Sequence, residues 1–375
     1  MENGMISARE VPAFFEKEIT MKKILKILLV LILVVVLAVA GLFGYLTLTE
    51  YKPADIEQLT PLCVDEAAPV IGDGASLKIL SWNIGYAGLG AGSDFYMDGG
   101  KDTASADKVT VNKYLDGISS TILEGDYDLV LLQEVDVNSS RTYSIDESEV
   151  LRRGTSYRAL NHSCAFVPLP VNEPIGKVHA GLMTISDYKV DRAERHQLPC
   201  PFTWPVRTAN LKRCLLVNYL PIEGSDKQLV LVDLHLEAYD SGEGKIAQTL
   251  QLMELLEKEY QNGNYVIVGG DFNQVFPGSF DLYPNIHFEL WAPGLLVEQI
   301  LPEGFRYAYD LTTPTCRLLN QPYDPSDTVN TQYYVIDGFI LSPNVQLDEV
   351  KVLDEGFANS DHNPVSLQVT LIPAN

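Results

Sequence analysis

The sequence predicts an α/β or α+β fold with packed β-sheets, preceded by one transmembrane helix. Short apolar runs alternate with amphipathic or loop stretches from residue 77 to residue 371, which is typical of sheets covered by helices. A long uncharged apolar run stands near the N-terminus and is typical of a membrane span. Because 46% of the 375 residues are hydrophobic, a large core is available.

The N-terminal run covers residues 27–49 and reads ILLVLILVVVLAVAGLFGYLTLT. A helix of this length spans roughly 34 Å, enough to cross the hydrocarbon core of a bilayer. Three basic residues, Lys22, Lys23 and Lys26, precede it. The positive-inside rule then predicts a single-pass protein of the cell membrane, with a cytoplasmic N-terminus and residues 51–375 outside.

We expect residues 1–23 to be a cytoplasmic tail and residues 24–49 to be the anchor. A cleaved signal peptide is the alternative, because AVA at residues 38–40 resembles a cleavage site. The apolar run continues beyond that point, which favours a retained anchor. Residues 50–76 contain several prolines and glycines and are expected to be a linker, followed by the folded domain at residues 77–372.

Apolar runs predict strands at residues 77–82, 129–133, 181–185, 214–219, 228–235, 265–269, 334–341 and 365–371. Helices are predicted at residues 106–123 and 245–260. In the second helix, apolar residues at helical spacing form the expected buried stripe, namely Ile246, Leu250, Met253 and Leu256. The glycine-rich stretch at residues 85–100 lacks the spacing of a phosphate-binding loop and is interpreted as a surface loop.

The formal net charge is −23, and it falls on residues 51–375 because the first 50 residues contain equal numbers of acidic and basic side chains. A domain this acidic has no general attraction for a polyanion, which disfavours avid DNA or RNA binding. The five cysteines form no CxxC pair and are interpreted mostly as core residues. One disulfide is allowed if the domain lies outside the membrane.

Six segments place acidic, amide or imidazole groups in or at the end of an apolar run, as a buried sheet presents them at its rim. They are SWNIG (residues 81–85), LLQEVD (131–136), LVDLHLEA (231–238), VGGDFNQ (268–274), IDGFIL (336–341) and SDHNPV (360–365). Hydrolysis of a phosphate ester needs a cation, an aligned water, donors to the phosphoryl oxygens and help for the leaving group. Because the segments contain a group for each task, the sequence predicts a metal-dependent phosphoesterase site.

The predicted metal ligands are Asn83, Glu134 and Asp361. Glu134 ends an apolar run, where a carboxylate is costly to bury unless it is paired or metal-bound. Mg²⁺ prefers a few carboxylates plus water, so Mg²⁺ is the expected cofactor, with Mn²⁺ as a substitute. Taken alone, Asn83 is better explained as a turn-capping amide.

The predicted catalytic residues are His235, Asp271, Asn273, Asp337 and His362. Two glycines before Asp271 permit close approach to a ligand, so Asp271 is expected to orient or deprotonate the water while Asn273 donates to phosphate. His235 closes a strand and is expected to stabilise the charge of the pentacoordinate phosphorus. Asp337 is the natural partner to fix the tautomer of His362. Whether Asp271 or His362 is the general base stays open.

Two further residues are candidate phosphate contacts. Arg141 follows the Glu134 segment and carries a planar fork of donors that suits phosphate, although a surface ion pair explains it equally well. His179 precedes a predicted strand and is a candidate for the cleft wall.

The motifs resemble those of the endonuclease/exonuclease/phosphatase superfamily, the deoxyribonuclease-I-like fold. GDFN and SDHNPV are the most specific marks, and the resemblance extends from about residue 77 to residue 371. It implies a four-layer sandwich of two mixed β-sheets flanked by helices, with a Mg²⁺-dependent site at one rim. The whole chain is similar to membrane-anchored bacterial members.

The resemblance also implies roles for individual residues. Asn83 and Glu134 match the metal-side pair, and Asp271 and Asn273 match the pair that positions water and phosphate. The closing pair is Asp361 and His362, with Asp337 orienting the histidine. His235 matches a second histidine found in the nuclease and sphingomyelinase branches.

The favoured function is a membrane-anchored, Mg²⁺-dependent phosphodiesterase that acts outside the membrane on a lipid headgroup or a small phosphodiester. A surface nuclease that cleaves extracellular DNA is the first alternative, which the acidic composition weakens. A non-catalytic binding protein on the same fold is the second, although every expected site group is present. The expected partners are the phosphodiester substrate and the membrane, and no protein partner is predicted.

Overall fold

The computed structural model describes residues 10–63, 68–103, 106–153, 159–167, 176–240, 242–327 and 329–373. The chain divides into two compact units, Met1–Glu50 and Tyr51–Asn375. The first unit contains helix α1 (Glu10–Thr49). Within it, Thr20–Thr49 is apolar and long enough to cross a membrane, and it fits a signal sequence as well. The helix begins earlier than the predicted anchor.

The second unit contains helices α2 (Lys108–Gly125), α3 (Glu147–Arg153), α4 (Glu243–Gln261) and α5 (Ser279–Leu282). Its strands are β1 (Ile56–Leu59), β2 (Leu62–Cys63), β3 (Ser76–Asn83), β4 (Leu129–Asp136), β5 (Ala159–Val167), β6 (Val178–Ser186), β7 (Arg192–Gln197), β8 (Cys214–Pro221), β9 (Gln228–His235), β10 (Tyr265–Asp271), β11 (Gln274–Val275), β12 (Gly294–Leu295), β13 (Arg306–Ala308), β14 (Cys316–Arg317), β15 (Tyr333–Tyr334), β16 (Asp337–Leu341), β17 (Val345–Val352) and β18 (Val365–Leu371).

Two seven-stranded sheets form the body of this unit. One has the order β1-β7-β8-β9-β10-β16-β13 and the other β17-β18-β3-β4-β6-β5-β2. Both are mixed, because β9 runs parallel to β10 and β3 runs parallel to β4, while their other pairings are antiparallel. Two short pairs, β11 with β12 and β14 with β15, stand outside these sheets.

The three largest apolar clusters of the described residues form layers. The central one joins the two sheets, with Leu131 of β4 and Leu231 of β9 in one buried cluster. A second cluster packs α4 on the first sheet, and a third packs α2 on the second sheet. The order is therefore helix, sheet, sheet, helix, which confirms the expected four-layer sandwich of two mixed sheets.

Residues 50–76 were expected to be a linker, but described residues of this segment take part in the fold. β1 adds an edge strand beside β7, and β2 adds one beside β5. Ile71 is fully buried and bridges to Ile222. Prolines and glycines indicated irregular backbone correctly, but they do not distinguish a free linker from a segment that covers two sheet edges.

Two predicted elements have different details. The strand expected at 334–341 is broken into β15 and β16, because the chain leaves the β14 pairing at Tyr334 and joins β10 at Asp337. On α4, Ile246 and Leu250 of the expected stripe are exposed. The first half of α4 instead buries polar groups; Gln248, for example, accepts from the backbone of Glu237 and donates to that of Pro199.

The described cysteine side chains, Cys200, Cys214 and Cys316, form no disulfide bond within the described part of the chain. Cys214 and Cys316 are buried, which matches their interpretation as core residues, whereas Cys200 is exposed. The side chains of Cys63 and Cys164 lie outside the described part of the chain.

Candidate active site

The candidate site lies at one rim of the two sheets, where β3, β4, β9 and β10 end and β16 begins. In the strand register, Asn83 stands beside Gln133, His235 beside Asp271, and Asp271 beside Asp337. A cavity of about 290 Å³ opens at this rim. The predicted site residues that line it are Asn83, Glu134, Arg141, His235, Asp271, Asn273, Asp361 and His362.

Glu134 reaches the cavity because β4 contains a bulge. The register with β6 shifts between Leu132 and Val135, and Glu134 takes a left-handed backbone conformation with φ of 57°. A bulge re-aims a side chain, and backbone strain of this kind clusters at functional sites. The amide nitrogen of Asn83 donates to Glu134 Oε1 at 3.4 Å and to Asp271 Oδ2 at 3.0 Å, so it links the two carboxylates.

Asp271 and Asn273 follow a position of β10 that requires glycine. Gly270 has a φ of +146°, and a Cβ there would stand 2.0 Å from a carbonyl oxygen of β9. The backbone N–H of Asn273 donates to Asp271 Oδ1 at 2.8 Å, and its side-chain amide donates to the carbonyl of Leu236 at 2.9 Å. Oδ2 of Asp271 lies 3.4 Å from Nε2 of His235.

His362 is oriented by Asp337. Its Nδ1 lies 2.8 Å from Asp337 Oδ2, so Nδ1 carries the donated proton and Nε2 is left for the cavity. The backbone N–H of His362 donates to Ser360 Oγ at 3.2 Å. Its Nε2 lies 3.8 Å from Asp271 Oδ2 and 4.0 Å from Asp361 Oδ2. The imidazole therefore stands between an orienting carboxylate and two carboxylates of the cavity.

The two histidines differ in protonation. Burial lowers the pKa of His362, but the charge and hydrogen bond of Asp337, with smaller contributions from other neighbours, raise this pKa well above its usual value. Burial holds the pKa of His235 well below its usual value, and the positive charges of Arg213 and His362 act in the same direction. Burial and the charge of Asp337 raise the pKa of Asp271 to about 7. A cationic and a neutral imidazole thus flank one carboxyl group.

The acidic groups fit a bound divalent cation. Burial and the charge of Glu134 raise the pKa of Asp361 to about 6, against the opposing effect of His362. Ligand atoms of Asp271, Asp337 and His362 lie within 4.8 Å of one another, and the buried Oδ1 of Asp337 has no hydrogen-bond partner among the described residues. Crowded buried carboxylates are favourable when a cation balances them, and carboxylate oxygens are the ligands that Mg²⁺ prefers.

Of the two candidate phosphate contacts, the structure brings Arg141 to the cavity and leaves His179 away from it. Arg141 donates Nε and Nη2 to Asp136 at 2.8 and 2.9 Å and lies over the ring of Tyr86 at 3.5 Å. The alternative of an ion pair thus holds, but the pair is mostly buried in the cavity wall. The neighbours of His179 on both sides line the cavity, and successive strand residues face opposite ways.

Two cations that the sequence analysis did not single out, Lys212 and Arg213, also line the cavity. Arg213 Nε is buried without a hydrogen-bond partner in the described chain and lies 3.9 Å from Glu237 Oε2. Both residues immediately precede β8, which runs antiparallel to β9. A charged residue before β8 therefore lies at the same rim as His235 at the end of β9, and this signal was available in the sequence.

The glycine-rich stretch at residues 85–100 is packed against the protein, contrary to the expected surface loop. The buried guanidinium of Arg317 donates to the carbonyl oxygens of Gly90 and Ser93 at 2.9 and 3.1 Å. The stretch supplies much of one cavity wall through Tyr86, Leu89, Phe95, Tyr96, Met97 and Asp98. The glycine content predicted turns. It could not show that the loop is packed against the protein, because the arginine that binds it lies more than two hundred residues away in sequence.

Residues 80–362 match the model of the endonuclease/exonuclease/phosphatase family. No curated protein matches the sequence significantly. Among solved structures, the endonuclease/exonuclease/phosphatase from Beutenbergia cavernae has a TM-score of 0.56 at 17% identity, over 79% of this chain and 72% of that chain. A family protein from Leptotrichia buccalis gives 0.52 at 19%, over 78% and 99%. The endonuclease/exonuclease/phosphatase from Bacteroides vulgatus gives 0.50 at 17%, over 79% and 99%. At these identities the likeness is one of fold.

Proposed function

The chain belongs to the endonuclease/exonuclease/phosphatase family, and we propose that it is a divalent-metal-dependent phosphodiesterase. The observation that carries the proposal is the convergence of two histidines on one carboxylate. His235 Nε2 lies 3.4 Å and His362 Nε2 lies 3.8 Å from the same oxygen of Asp271. Phosphoryl transfer to water needs an acceptor for the water proton, donors to the phosphoryl oxygens and a donor to the leaving oxygen around one point.

We assign the cation to Glu134 and Asp361, with Asn83 beside them. When bound, it supplies charge neutralisation at the phosphoryl oxygens. A position between Asp337 and His362 is less favourable, because His362 Nδ1 already donates to Asp337 at 2.8 Å. The bulge at Glu134 supports the assignment, since it directs this carboxylate into the cavity.

In the proposed reaction, Asp271 accepts a proton from the water whose oxygen attacks phosphorus. The bond between phosphorus and the leaving alcohol oxygen breaks, and the imidazolium of His362 donates a proton to that oxygen. The neutral imidazole of His235 and the amide of Asn273 donate to the phosphoryl oxygens. One phosphodiester and one water give one phosphomonoester and one alcohol. The opposed pKa shifts of the two histidines support this division of tasks.

A small or lipid phosphodiester fits the cavity better than a nucleic acid. Apolar and aromatic side chains make up much of its wall, including Leu89, Phe95, Tyr96, Leu182, Tyr239 and Trp291. The net charge of −23 gives no general attraction for a polyanion. A surface nuclease is the alternative, and the cations that line the cavity, Arg141, Lys212 and Arg213, are the observation that favours it.

The proposed place of action is the outer face of a cell membrane. The apolar segment Thr20–Thr49 would serve as the anchor. Lys22, Lys23 and Lys26 favour a cytoplasmic N-terminus, which leaves Tyr51–Asn375 on the other side. An enzyme held at a membrane in this way would meet lipid headgroups at high local concentration.

The test is hydrolysis by the full-length chain in detergent with Mg²⁺. The substrates are sphingomyelin, other phospholipids, plasmid DNA, and simple phosphodiesters and phosphomonoesters. We expect headgroup release without DNA nicking, loss of turnover with EDTA and recovery with Mg²⁺ or Mn²⁺. The Asp271→Asn variant serves as the inactive control. Nicking of DNA without headgroup release would favour the nuclease, and turnover that persists in EDTA would contradict the metal-dependent mechanism.

A further inference from the structure

One part of the cavity wall has no task in the hydrolytic reaction. It consists of Asp98 together with the aromatic side chains of Tyr96, Tyr239 and Trp291, and all four residues line the cavity. Asp98 and Tyr96 belong to the glycine-rich stretch, whereas Tyr239 follows β9 and Trp291 precedes β12. Three separate segments therefore contribute to one patch beside the phosphate-binding groups. We call these four residues the aromatic–acid patch.

Asp98 is a buried carboxylate without a cationic partner in the described chain. Its exposed fraction is 7%. The hydroxyl of Tyr239 donates to its Oδ1 at 3.1 Å, and the backbone N–H of Leu319 also donates to the carboxylate. Both donors are neutral. Burial, and then the charge of Asp361, raise the pKa of Asp98 to about 6. A ligand cation would compensate this charge.

The aromatic members leave ring surface open beside that carboxylate. Tyr96 is 45% and Tyr239 is 40% exposed. The rings of Tyr239 and Trp291 have centroids 6.4 Å apart at an interplanar angle of 56°, so they form two sides of a corner rather than a stack. The indole N–H of Trp291 donates to the carbonyl of Ala238 at 2.8 Å, which fixes its ring. Aromatic faces beside a carboxylate are the chemistry that recognises alkylammonium groups.

We propose that the aromatic–acid patch binds an alkylammonium group carried by one alcohol of the phosphodiester substrate. This inference rests on the proposed function and narrows its substrate class to phosphodiesters with a cationic headgroup. The patch and the hydrolytic groups line one cavity, so a single substrate reaches both. The net charge of −23, which gives no general attraction for a polyanion, is compatible with a substrate that carries one phosphate and one cation.

A role in metal binding is the competing explanation for Asp98. Glu134 and Asp361 are close enough for their charges to raise the pKa of Asp98. If Asp98 bound the metal, its carboxylate oxygens would have to be shared between the metal and two donors, the Tyr239 hydroxyl and the Leu319 backbone N–H. A test must therefore read cation recognition and metal requirement separately.

The experiment compares two substrates that differ in one atom. p-Nitrophenyl phosphorylcholine carries a quaternary nitrogen, and p-nitrophenyl 3,3-dimethylbutyl phosphate carries a carbon in its place. We expect the full-length chain with Mg²⁺ to prefer the choline ester in kcat/KM by about tenfold, in keeping with a partly desolvated cation–π contact. In Asp98→Asn, this preference should fall to about twofold or less. Calorimetric binding of phosphocholine and of 3,3-dimethylbutyl phosphate gives the same comparison without turnover.

The control is Asp226→Asn, which removes the same charge from an exposed turn before β9, at the end of the strand away from His235. It should keep the wild-type preference. Equal kcat/KM and equal binding for the two compounds would overturn the patch while leaving the phosphodiesterase standing. If Asp98→Asn lowered kcat/KM equally for both esters and raised the Mg²⁺ requirement, Asp98 would be a metal ligand and the proposed role of the patch would be overturned. If the wild type hydrolysed no phosphodiester, the proposed function itself would be contradicted. Tighter binding of phosphocholine than of 3,3-dimethylbutyl phosphate would then be the only test of whether the patch binds an alkylammonium group.

Discussion

A single carboxylate determines the state of His362. Asp337 accepts from His362 Nδ1 at 2.8 Å and keeps Nε2 available for the cavity. Its backbone N–H donates to Thr315 Oγ1 at 3.1 Å, which fixes the start of β16. The same contact raises the pKa of His362, whereas the carboxylates of Asp271 and Glu134 lie 3.4 and 3.9 Å from the ring of His235, and burial lowers the pKa of that histidine. Two identical side chains in one cavity thus obtain different chemistry from their neighbours.

We predict that Asp337→Asn lowers kcat by about 10²- to 10⁴-fold, because an asparagine amide stabilises the wrong tautomer and removes the charge that supports the imidazolium. KM should change little, since Asp337 does not line the cavity. Steady-state kinetics on a soluble phosphodiester measures both. Glu259→Gln is the matched control, because Glu259 is a buried carboxylate on α4 that accepts from Asn264. A full wild-type kcat in a folded Asp337→Asn variant would remove Asp337 from the mechanism.

Glu134 is the residue whose loss should affect the metal most. Glu134→Gln keeps the shape of the side chain and its hydrogen bond from Asn83 but removes one negative charge. We expect the Mg²⁺ concentration for half-maximal activity to rise by at least about tenfold. Activity titrations with Mg²⁺ and calorimetric titration with Mn²⁺ measure this change. An unaltered metal requirement would show that the cation binds elsewhere.

The sequence identified the cavity-lining groups that end apolar runs, because a polar side chain at the end of a buried strand is costly unless it is hydrogen-bonded, paired or metal-bound. Asn83, Glu134 and His235 are of this kind. Asp98 carries no such signal, since it stands in a glycine-rich loop whose path depends on distant contacts. Arg213 had a signal at the start of β8, but its use required knowing that β8 is antiparallel to β9. Local sequence pattern therefore identified the cavity-lining residues at strand ends, whereas the others become visible only when the long-range strand pairing is known.

At the element scale, one side chain of β14 helps to anchor the stretch 85–100, beside backbone hydrogen bonds such as that from the N–H of Phe95 to the carbonyl of Leu319. Arg317 donates to the carbonyls of Gly90 and Ser93 in this stretch and to that of Gln321 near its own strand. These carbonyl groups accept hydrogen bonds from the Arg317 guanidinium instead of from a neighbouring strand. The loop therefore forms a fixed wall of the cavity. In helix α4 the spacing of apolar residues predicted a buried apolar stripe. Polar contacts with neighbouring loops instead decide which face the first half of the helix buries.

We predict that Arg317→Met lowers the free energy of unfolding by about 3 kcal/mol, because buried carbonyl oxygens lose their donors. KM should rise as well, since the released stretch lines the cavity. The free energy of unfolding of Arg317→Lys should lie between those of the wild type and Arg317→Met, because an ammonium is a point donor and lacks the planar fork. Urea unfolding and hydrogen exchange of residues 85–100 are the measurements. Lys189→Met is the control, since its ion pair with Asp191 is half exposed and worth little. Equal stability of Arg317→Met and the control would contradict the proposed role.

At the scale of the whole molecule, the functional groups and the apolar helix belong to different units. All predicted site residues lie in Tyr51–Asn375, while α1 lies in Met1–Glu50. The apolar part of α1 was predicted from the sequence, because a long uncharged apolar run is recognised without knowledge of tertiary contacts. The start of the folded unit was expected at residue 77 and lies earlier, because β1 and β2 are short and lack an apolar run; they are held by pairing with β7 and β5.

This boundary gives a prediction about truncation. A chain of residues 51–375 should be soluble, monodisperse and as active in kcat/KM on a soluble phosphodiester as the full-length chain in detergent. A chain of residues 77–375 loses β1, β2 and the buried Ile71, so it exposes the edges of β7 and β5. Unpaired edges favour aggregation, and we expect the midpoint of thermal unfolding to fall by about 5 °C or more. Size-exclusion chromatography and thermal unfolding compare the two chains directly. If residues 77–375 match residues 51–375 in both measurements, residues 51–76 act as a linker, as composition alone suggests, and their strand pairing contributes nothing to the stability of the fold.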